Sequence, residues 1–258
     1  MSQLYFATSA RSAVGLVRSG NEDSAVISPR LIAVADGMGG HAAGEVASKI
    51  AITSLSDLSH VFAAPDIDAE SADDIYLNSI HSIDADIKTA ALDNPELTGM
   101  GTTLTSLFLS GDKIALLHIG DSRAYRLRGN SLDQLSVDHT VIQELLNQGT
   151  ITESDIATHP QRSVLTQVLV GEGNIELPLP IFEGKIKDRY LVCSDGLSSV
   201  LTDREIKSLM KGKDRDAVVT ALIDATYING APDNVTIVIA DLVEEPQPEN
   251  IEKIGAAQ

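Results

Sequence analysis

Four short apolar segments, Thr102–Leu109, Ile114–Ile119, Ala124–Leu127 and Leu132–Leu135, follow one another with four residues between each pair. A parallel crossover needs roughly a dozen residues, so segments joined this tightly can pair only antiparallel. Gly111-Asp112 and Gly129-Asn130 supply turns, and the pattern predicts a continuous antiparallel meander. Leu4–Thr8, Ser24–Ile27, Tyr190–Ser194 and Val235–Leu242 add strands before and after it. Leu31–Asp36 is a short apolar run bounded by turn signals and reads as a strand buried on both faces.

Helical spacing falls between these runs. His41–Leu58 and about Ala72–Leu92 carry apolar residues on one side, and no strand separates them. Thr140–Gln148 predicts a short helix, and Thr150–Arg162 an exposed irregular segment. Helices are also expected near Asp203–Met210 and Asp216–Tyr227, with Thr202 and Glu205 in the capping-box arrangement. Paired helices and two sets of antiparallel strands fit an α+β fold: a four-layer α/β/β/α sandwich, mainly antiparallel sheets inside and helix pairs outside. Its core must be aliphatic, because hydrophobic residues make up 43% of the chain while aromatics reach only 3%, with no Trp. One domain is expected over residues 1–243, followed by an acidic, mobile tail, 244–258, that contains Pro246 and Pro248.

The charge balance excludes some partners. Lys and Arg number 19 against 37 Asp and Glu, a net charge of −18. Nucleic acid and anionic membrane surfaces require basic patches and are not expected partners. No apolar run approaches the roughly 18–20 residues of a membrane helix, and residues 1–10 lack a signal-peptide pattern. A single cysteine, Cys193, fits a reducing compartment. A cytoplasmic monomer is expected.

Five acidic sites share a context, each where an apolar run ends or begins: Glu22-Asp23, Asp36-Gly37, Gly120-Asp121, Asp195-Gly196 and Asp233-Asn234. Asp-Gly is a common turn dipeptide, so any one of them alone reads as a turn. Five together invite another reading. Alternate strand ends of an antiparallel sandwich emerge on one edge, where these carboxylates would meet in a cleft. Without a cation they would repel and some would be forced to protonate; Mg²⁺ or Mn²⁺ would satisfy them, since hard cations take oxygen ligands. Scattered histidines and a lone cysteine argue against zinc. Arg18 reads as a surface charge or as a bidentate phosphate clamp. His41 alone reads as a cap or a solvated side chain, and Cys193 as core packing.

Arg18-x-x-Asn21-Glu22-Asp23, Asp36-Gly37-Met38-Gly39-Gly40-His41-x-x-Gly44-Glu45, Gly101-Thr102-Thr103, Gly120-Asp121-Ser122-Arg123, Ser194-Asp195-Gly196-Leu197 and Asp233-Asn234-Val235-Thr236 occur in this order. Together they resemble the bacterial branch of the metal-dependent serine/threonine protein phosphatases, type 2C (PPM), over about Ala13–Asp241. Each motif alone is weak, whereas six in order are specific. The resemblance implies hydrolysis of phosphoserine and phosphothreonine in proteins, without a phosphoenzyme, by a hydroxide bridging two Mn²⁺ or Mg²⁺ ions, with a third ion in some members. It implies that Asp36 bridges the two metals and that the Gly37 carbonyl binds the second. Asp195 and Asp233 would complete the first site, and Glu22 would hold a metal-bound water. Asp121, with Asp195, would form the third, weaker site. Arg18 would bind the substrate phosphate, with His41 or a water as leaving-group acid, and Asp23 would be a supporting hydrogen-bond partner. Residues 140–162 would be a flap near the cleft. The substrate would be a phosphoprotein opposite a Ser/Thr kinase. Two departures stand out. Met38 occupies the position where eukaryotic members carry a histidine, and Leu169-Val170-Gly171 replaces the usual Leu-Gly pair. Two rival functions are a catalytically silent module that binds phosphoproteins and a phosphatase of small phosphate esters.

Overall fold

A computed structural model describes residues 3–39, 43–62, 69–173 and 175–258. In chain order the strands are β1 (Tyr5–Ala13), β2 (Asp23–Ile27) and β3 (Leu31–Met38), followed by helices α1 (Ala43–Phe62) and α2 (Ala69–Asp93). Next come β4 (Gly101–Thr102), β5 (Leu104–Ser110), β6 (Lys113–Ile119), β7 (Arg123–Arg128), β8 (Ser131–Gln134) and α3 (Val141–Asn147). The chain ends with β9 (Ile181–Glu183), β10 (Arg189–Cys193), α4 (Asp195–Ser198), α5 (Asp203–Met210), α6 (Arg215–Ile228), β11 (Val235–Val243) and β12 (Glu252–Gly255). One sheet runs β1-β11-β10-β7-β8; the other runs β12-β2-β3-β5-β6-β9, with β4 beside the end of β3.

Strand periodicity explains the four layers. Successive side chains point to opposite faces. In β3, Leu31, Ala33 and Ala35 pack with Ala47, Ile52, Tyr76 and Ile83 of α1 and α2, while Ile32 and Val34 face the other sheet. In β11, Val235, Ile237 and Ile239 meet Leu197, Ile206 and Leu222 of α4–α6, while Val238, Ala240 and Leu242 fill the space between the sheets. Both faces of these strands are therefore covered, which is why they read as continuous apolar runs rather than alternating ones. Each fully buried Leu or Ile contributes about 1.5–3 kcal/mol relative to exposure.

Two expectations fail. The run from β5 to β8 is not one meander: β6 pairs with β5 and β9, whereas β7 pairs with β8 and β10. Gly120–Ser122 carries the chain from one sheet to the other, and three extended residues span about 10 Å, the separation of packed sheets. The segment after Val243 is not a free tail either. Glu252–Gly255 pairs with β2 in the register Glu252↔Ile27 to Gly255↔Ser24, and Ile254 and Ala257 are buried. Without it, β2 would present an open row of backbone donors and acceptors. Within 140–162 the structure forms α3, capped by the Gln143 N–H to Thr140 Oγ1 bond of 3.1 Å, and a 3₁₀ turn over Glu153–Thr158.

Candidate active site

Both sheets end at one edge of the sandwich. Asp23 opens β2 directly opposite Asp36, near the end of β3. In the other sheet Cys193, the last residue of β10, pairs with Ile237, so Ser194 and Asp195 leave β10 close to where Asp233 and Asn234 enter β11. Hydrogen bonds stitch the two edges together. Ser194 Oγ donates to Asp23 Oδ2 at 2.7 Å, and the Glu22 N–H donates to Asn234 Oδ1 at 2.8 Å.

Asp36 is held from both sides of its peptide. Its N–H donates to Thr103 Oγ1 at 3.0 Å, and its carbonyl accepts from the Thr103 N–H and from Thr102 Oγ1, both at 2.9 Å. Thr103 Oγ1 in turn lies 2.7 Å from Ser122 Oγ, next to Asp121. Gly37 is not a turn residue: it lies inside β3, opposite Thr102. A Cβ there would stand 2.1 Å from the Gly44 carbonyl oxygen, and one on Gly44 would stand 2.7 Å from Glu22 Oε2. These glycines let three backbone segments close on one another beneath the Glu22 carboxylate.

The electrostatics are those of crowded like charges. Desolvation, then the charges of Asp23, Asp195, Asp121 and Asp233, raise Asp36 well above the ordinary carboxylate range. Desolvation and then Asp195 and Asp138 push Asp121 up to about 7. Asp195 is raised by desolvation and by Asp233, against the lowering effect of its hydrogen bond with Asp36. Glu22 is also raised, chiefly by desolvation, with Arg18 opposing. Arg18 Nη2 donates to Asp233 Oδ2 at 2.7 Å, and its side chain is 53% exposed.

The donor set suits a hard divalent cation. Asp23, Asp195, Asp121 and Asp233 all act to raise Asp36, a repulsion that a bound cation would relieve. Asp23, fully buried, has one oxygen, Oδ1, without a hydrogen-bond partner. Among the described residues no three His, Cys, Asp or Glu side chains are grouped closely enough to hold a metal ion by themselves. Mg²⁺-like ions keep several waters and take only one or two carboxylates each. Glu22, Asp36, the Gly37 carbonyl, Asp121, Asp195 and Asp233 can supply such oxygens.

Several residues of the motifs organise this edge in ways the sequence did not assign. Asn234 is the clearest case: Nδ2 donates to the carbonyls of Val14 and Gly20, both at 2.8 Å, while Oδ1 accepts from Glu22. It thereby fixes the loop that carries Arg18. Ser194, Thr103 and Ser122 act through partners far away in the chain. Their places in the motifs, Ser194 next to Asp195, Ser122 next to Asp121 and Thr103 in Gly101-Thr102-Thr103, gave the only signal. His41 lies outside the described residues.

An antiparallel α/β/β/α sandwich whose two sheets bring carboxylates to a shared edge, with an arginine beside them, defines a class of fold and site. The chain belongs to the protein phosphatase 2C family, whose profile matches residues 21–219. The serine/threonine protein phosphatase PstP of Mycobacterium tuberculosis is 42% identical over 238 residues, which are 91% of this chain and 45% of PstP. This chain thus spans less than half the length of that relative. The serine/threonine phosphatase stp of Listeria welshimeri is 33% identical over 234 residues, 88% of this chain and 92% of that protein. The crystal structure of the catalytic domain of PstP in complex with two manganese ions matches with a TM-score of 0.85 at 39% identity, covering 93% of this chain and 99% of that one. Among the described residues no helix is long and apolar enough to cross a membrane.

Proposed function

We propose that this chain hydrolyses phosphoserine and phosphothreonine in proteins with the help of two Mn²⁺ or Mg²⁺ ions. The observation that carries the reading is the convergence of Asp36, Asp195, Asp121 and Asp233 from two sheets, with mutual repulsion that only a cation or protons can relieve. Asp36, the Gly37 carbonyl, Asp195 and Asp233 would hold the two ions, Glu22 would act through a water, and Asp121 with Asp195 would hold a third, weaker one. The ions, when bound, supply neutralisation of phosphate charge and acidification of water.

The chain's own groups do the rest. Arg18, paired with Asp233 at 2.7 Å and 53% exposed, would exchange that partner for the non-bridging oxygens of a phosphate monoester. Hydrogen bonds with Thr102 and Thr103 hold the Asp36 peptide on both sides, which would position its carboxylate before substrate arrives. A proton from water or from His41 reaches the departing seryl or threonyl oxygen. Cys193 takes no part: it is buried, and desolvation pushes its thiol up to about 12.

Substrates would be phosphoproteins made by a Ser/Thr kinase, met by a monomer in the cytoplasm, where a lone thiol stays reduced. The test is phosphate release from a phosphothreonine peptide. Release with Mn²⁺ or Mg²⁺ and none with EDTA supports the reading. Peptide binding without release would favour a silent binding module, and faster turnover of small esters or nucleotides a small-molecule phosphatase.

A further inference from the structure

His139 lies between the candidate site and the 140–162 segment, and its hydrogen bonds face both. Its N–H donates to the Gly120 carbonyl at 2.8 Å, and its ring Nδ1 accepts the Gly120 N–H at 3.1 Å. One residue therefore holds both backbone groups of Gly120, the residue before Asp121. Its own carbonyl accepts the Thr166 N–H at 2.9 Å, and the next residue, Thr140, caps α3 and forms a bridge with Leu165.

The surroundings make this contact rigid. Residues 136–139 form a rail pinned at every position. Ser136 Oγ accepts the Ala124 N–H at 3.1 Å, and the Val137 carbonyl meets His118 Nε2 at 3.0 Å. Asp138 takes three hydrogen bonds from Arg123, the shortest 2.6 Å. The His139 ring stacks on His118 with centroids 4.9 Å apart, and His118 Nδ1 is anchored to Thr105 Oγ1 at 2.9 Å. The turn requires glycine at position 120: its φ is +104°, and a Cβ would stand 2.5 Å from Thr103 Cγ2.

We propose that His139 is a positioning residue that ties the Gly120-Asp121 turn to the base of the 140–162 segment, so that cation binding at Asp121 and ordering of that segment are coupled. The inference rests on the reading of Asp121 as a ligand of the weaker cation. Coupling of this kind is reciprocal: whatever orders the segment, such as a docked phosphoprotein, tightens the Asp121 site to the same degree.

The experiment combines Mn²⁺ titration calorimetry with amide hydrogen exchange on the wild type and on His139→Ala, His139→Gln and His139→Asn. Asn places an oxygen near the position of Nδ1, whereas Gln places it near Nε2. His139→Ala and His139→Gln should weaken the weakest Mn²⁺ site about tenfold, the scale of losing a group that orients a ligand. Both should speed exchange at 119–122 and at 163–167, and His139→Asn should restore binding and exchange. Should His139→Ala not fold, the Gln and Asn pair carries the comparison. Asp121→Asn should lose the same site while 163–167 stays protected in the absence of metal. Unchanged binding and exchange in His139→Gln, or an Asn variant no better than Gln, would overturn the proposal. A wild type that neither binds Mn²⁺ nor releases phosphate would instead sink the proposed function, and the exchange comparison would still decide whether His139 holds the turn.

Discussion

β10 and β11 carry buried or half-buried carboxylates at both ends, and the two ends are treated in opposite ways. At one end Arg189 donates to Asp241 Oδ1 at 2.6 Å and Oδ2 at 2.8 Å, and its remaining donors reach the carbonyls of Met210, Gly212 and Lys213. Beside it Asp188 accepts from Arg128 at 2.7 and 2.6 Å and from the Lys185 N–H at 2.8 Å. Desolvation alone would raise Asp188, yet these hydrogen bonds outweigh it and hold the carboxyl below its ordinary range. At the other end Asp195, Asp36 and Asp121 crowd one another and are all raised. The chain completes one end with its own guanidinium groups and leaves the other to be completed from outside. Burial of carboxylates does not by itself mark a site; burial without a matching cation does.

The largest contrast should come from turnover. Asp36→Asn is expected to lower phosphate release more than about 10³-fold, the scale of losing a central electrostatic element of a transition state. Asp188→Asn should leave turnover nearly unchanged, as steady-state assays of both variants would show. In stability the order reverses. Asp188 is 2% exposed and its partner Arg128 32%; Asn would leave that guanidinium and the Lys185 N–H without their carboxylate, so urea unfolding should show a loss of stability for Asp188→Asn.

A smaller effect separates the ends by pH. Burial is the main force raising Asp23 and Asp121, each to about 7. Groups raised in the folded state contribute stability that is full below the ordinary carboxylate range and is lost as pH rises through about 7. Asp188, lowered, contributes above the ordinary carboxylate range and loses its contribution only as pH falls through its depressed value. The metal-free chain should therefore melt several degrees lower at pH 8 than at pH 5, and saturating Mn²⁺ should close that gap. A flat profile without metal would erase the contrast.

Much of this division was legible in the residues, and the reasons for the misses are physical. Strands such as Leu31–Met38 and Val235–Val243 announce themselves because they are covered on both sides. Asp36, Asp195 and Asp233 stand out because a carboxylate at the end of such a run demands a partner. The crossing at Gly120–Ser122 was not legible, since a link that short serves a hairpin or a step between sheets equally well. Nor was β12, whose pairing with β2 joins residues over 200 positions apart. Asn234, Ser194 and His139 acquire their roles only from distant partners, which local spacing cannot reveal.

The central claim is that the Asp36 end is an incomplete electrostatic unit finished by divalent cations. The direct test is the thermal unfolding midpoint of wild type and Asp36→Asn at pH 7.5, stripped with EDTA and then loaded with Mn²⁺. Asp36→Asn should be the more stable of the two without metal, because one crowded carboxyl is gone. Mn²⁺ should raise the wild-type midpoint by ligand linkage and leave the variant almost unmoved. A variant less stable than wild type without metal, together with a wild type indifferent to Mn²⁺, would contradict it.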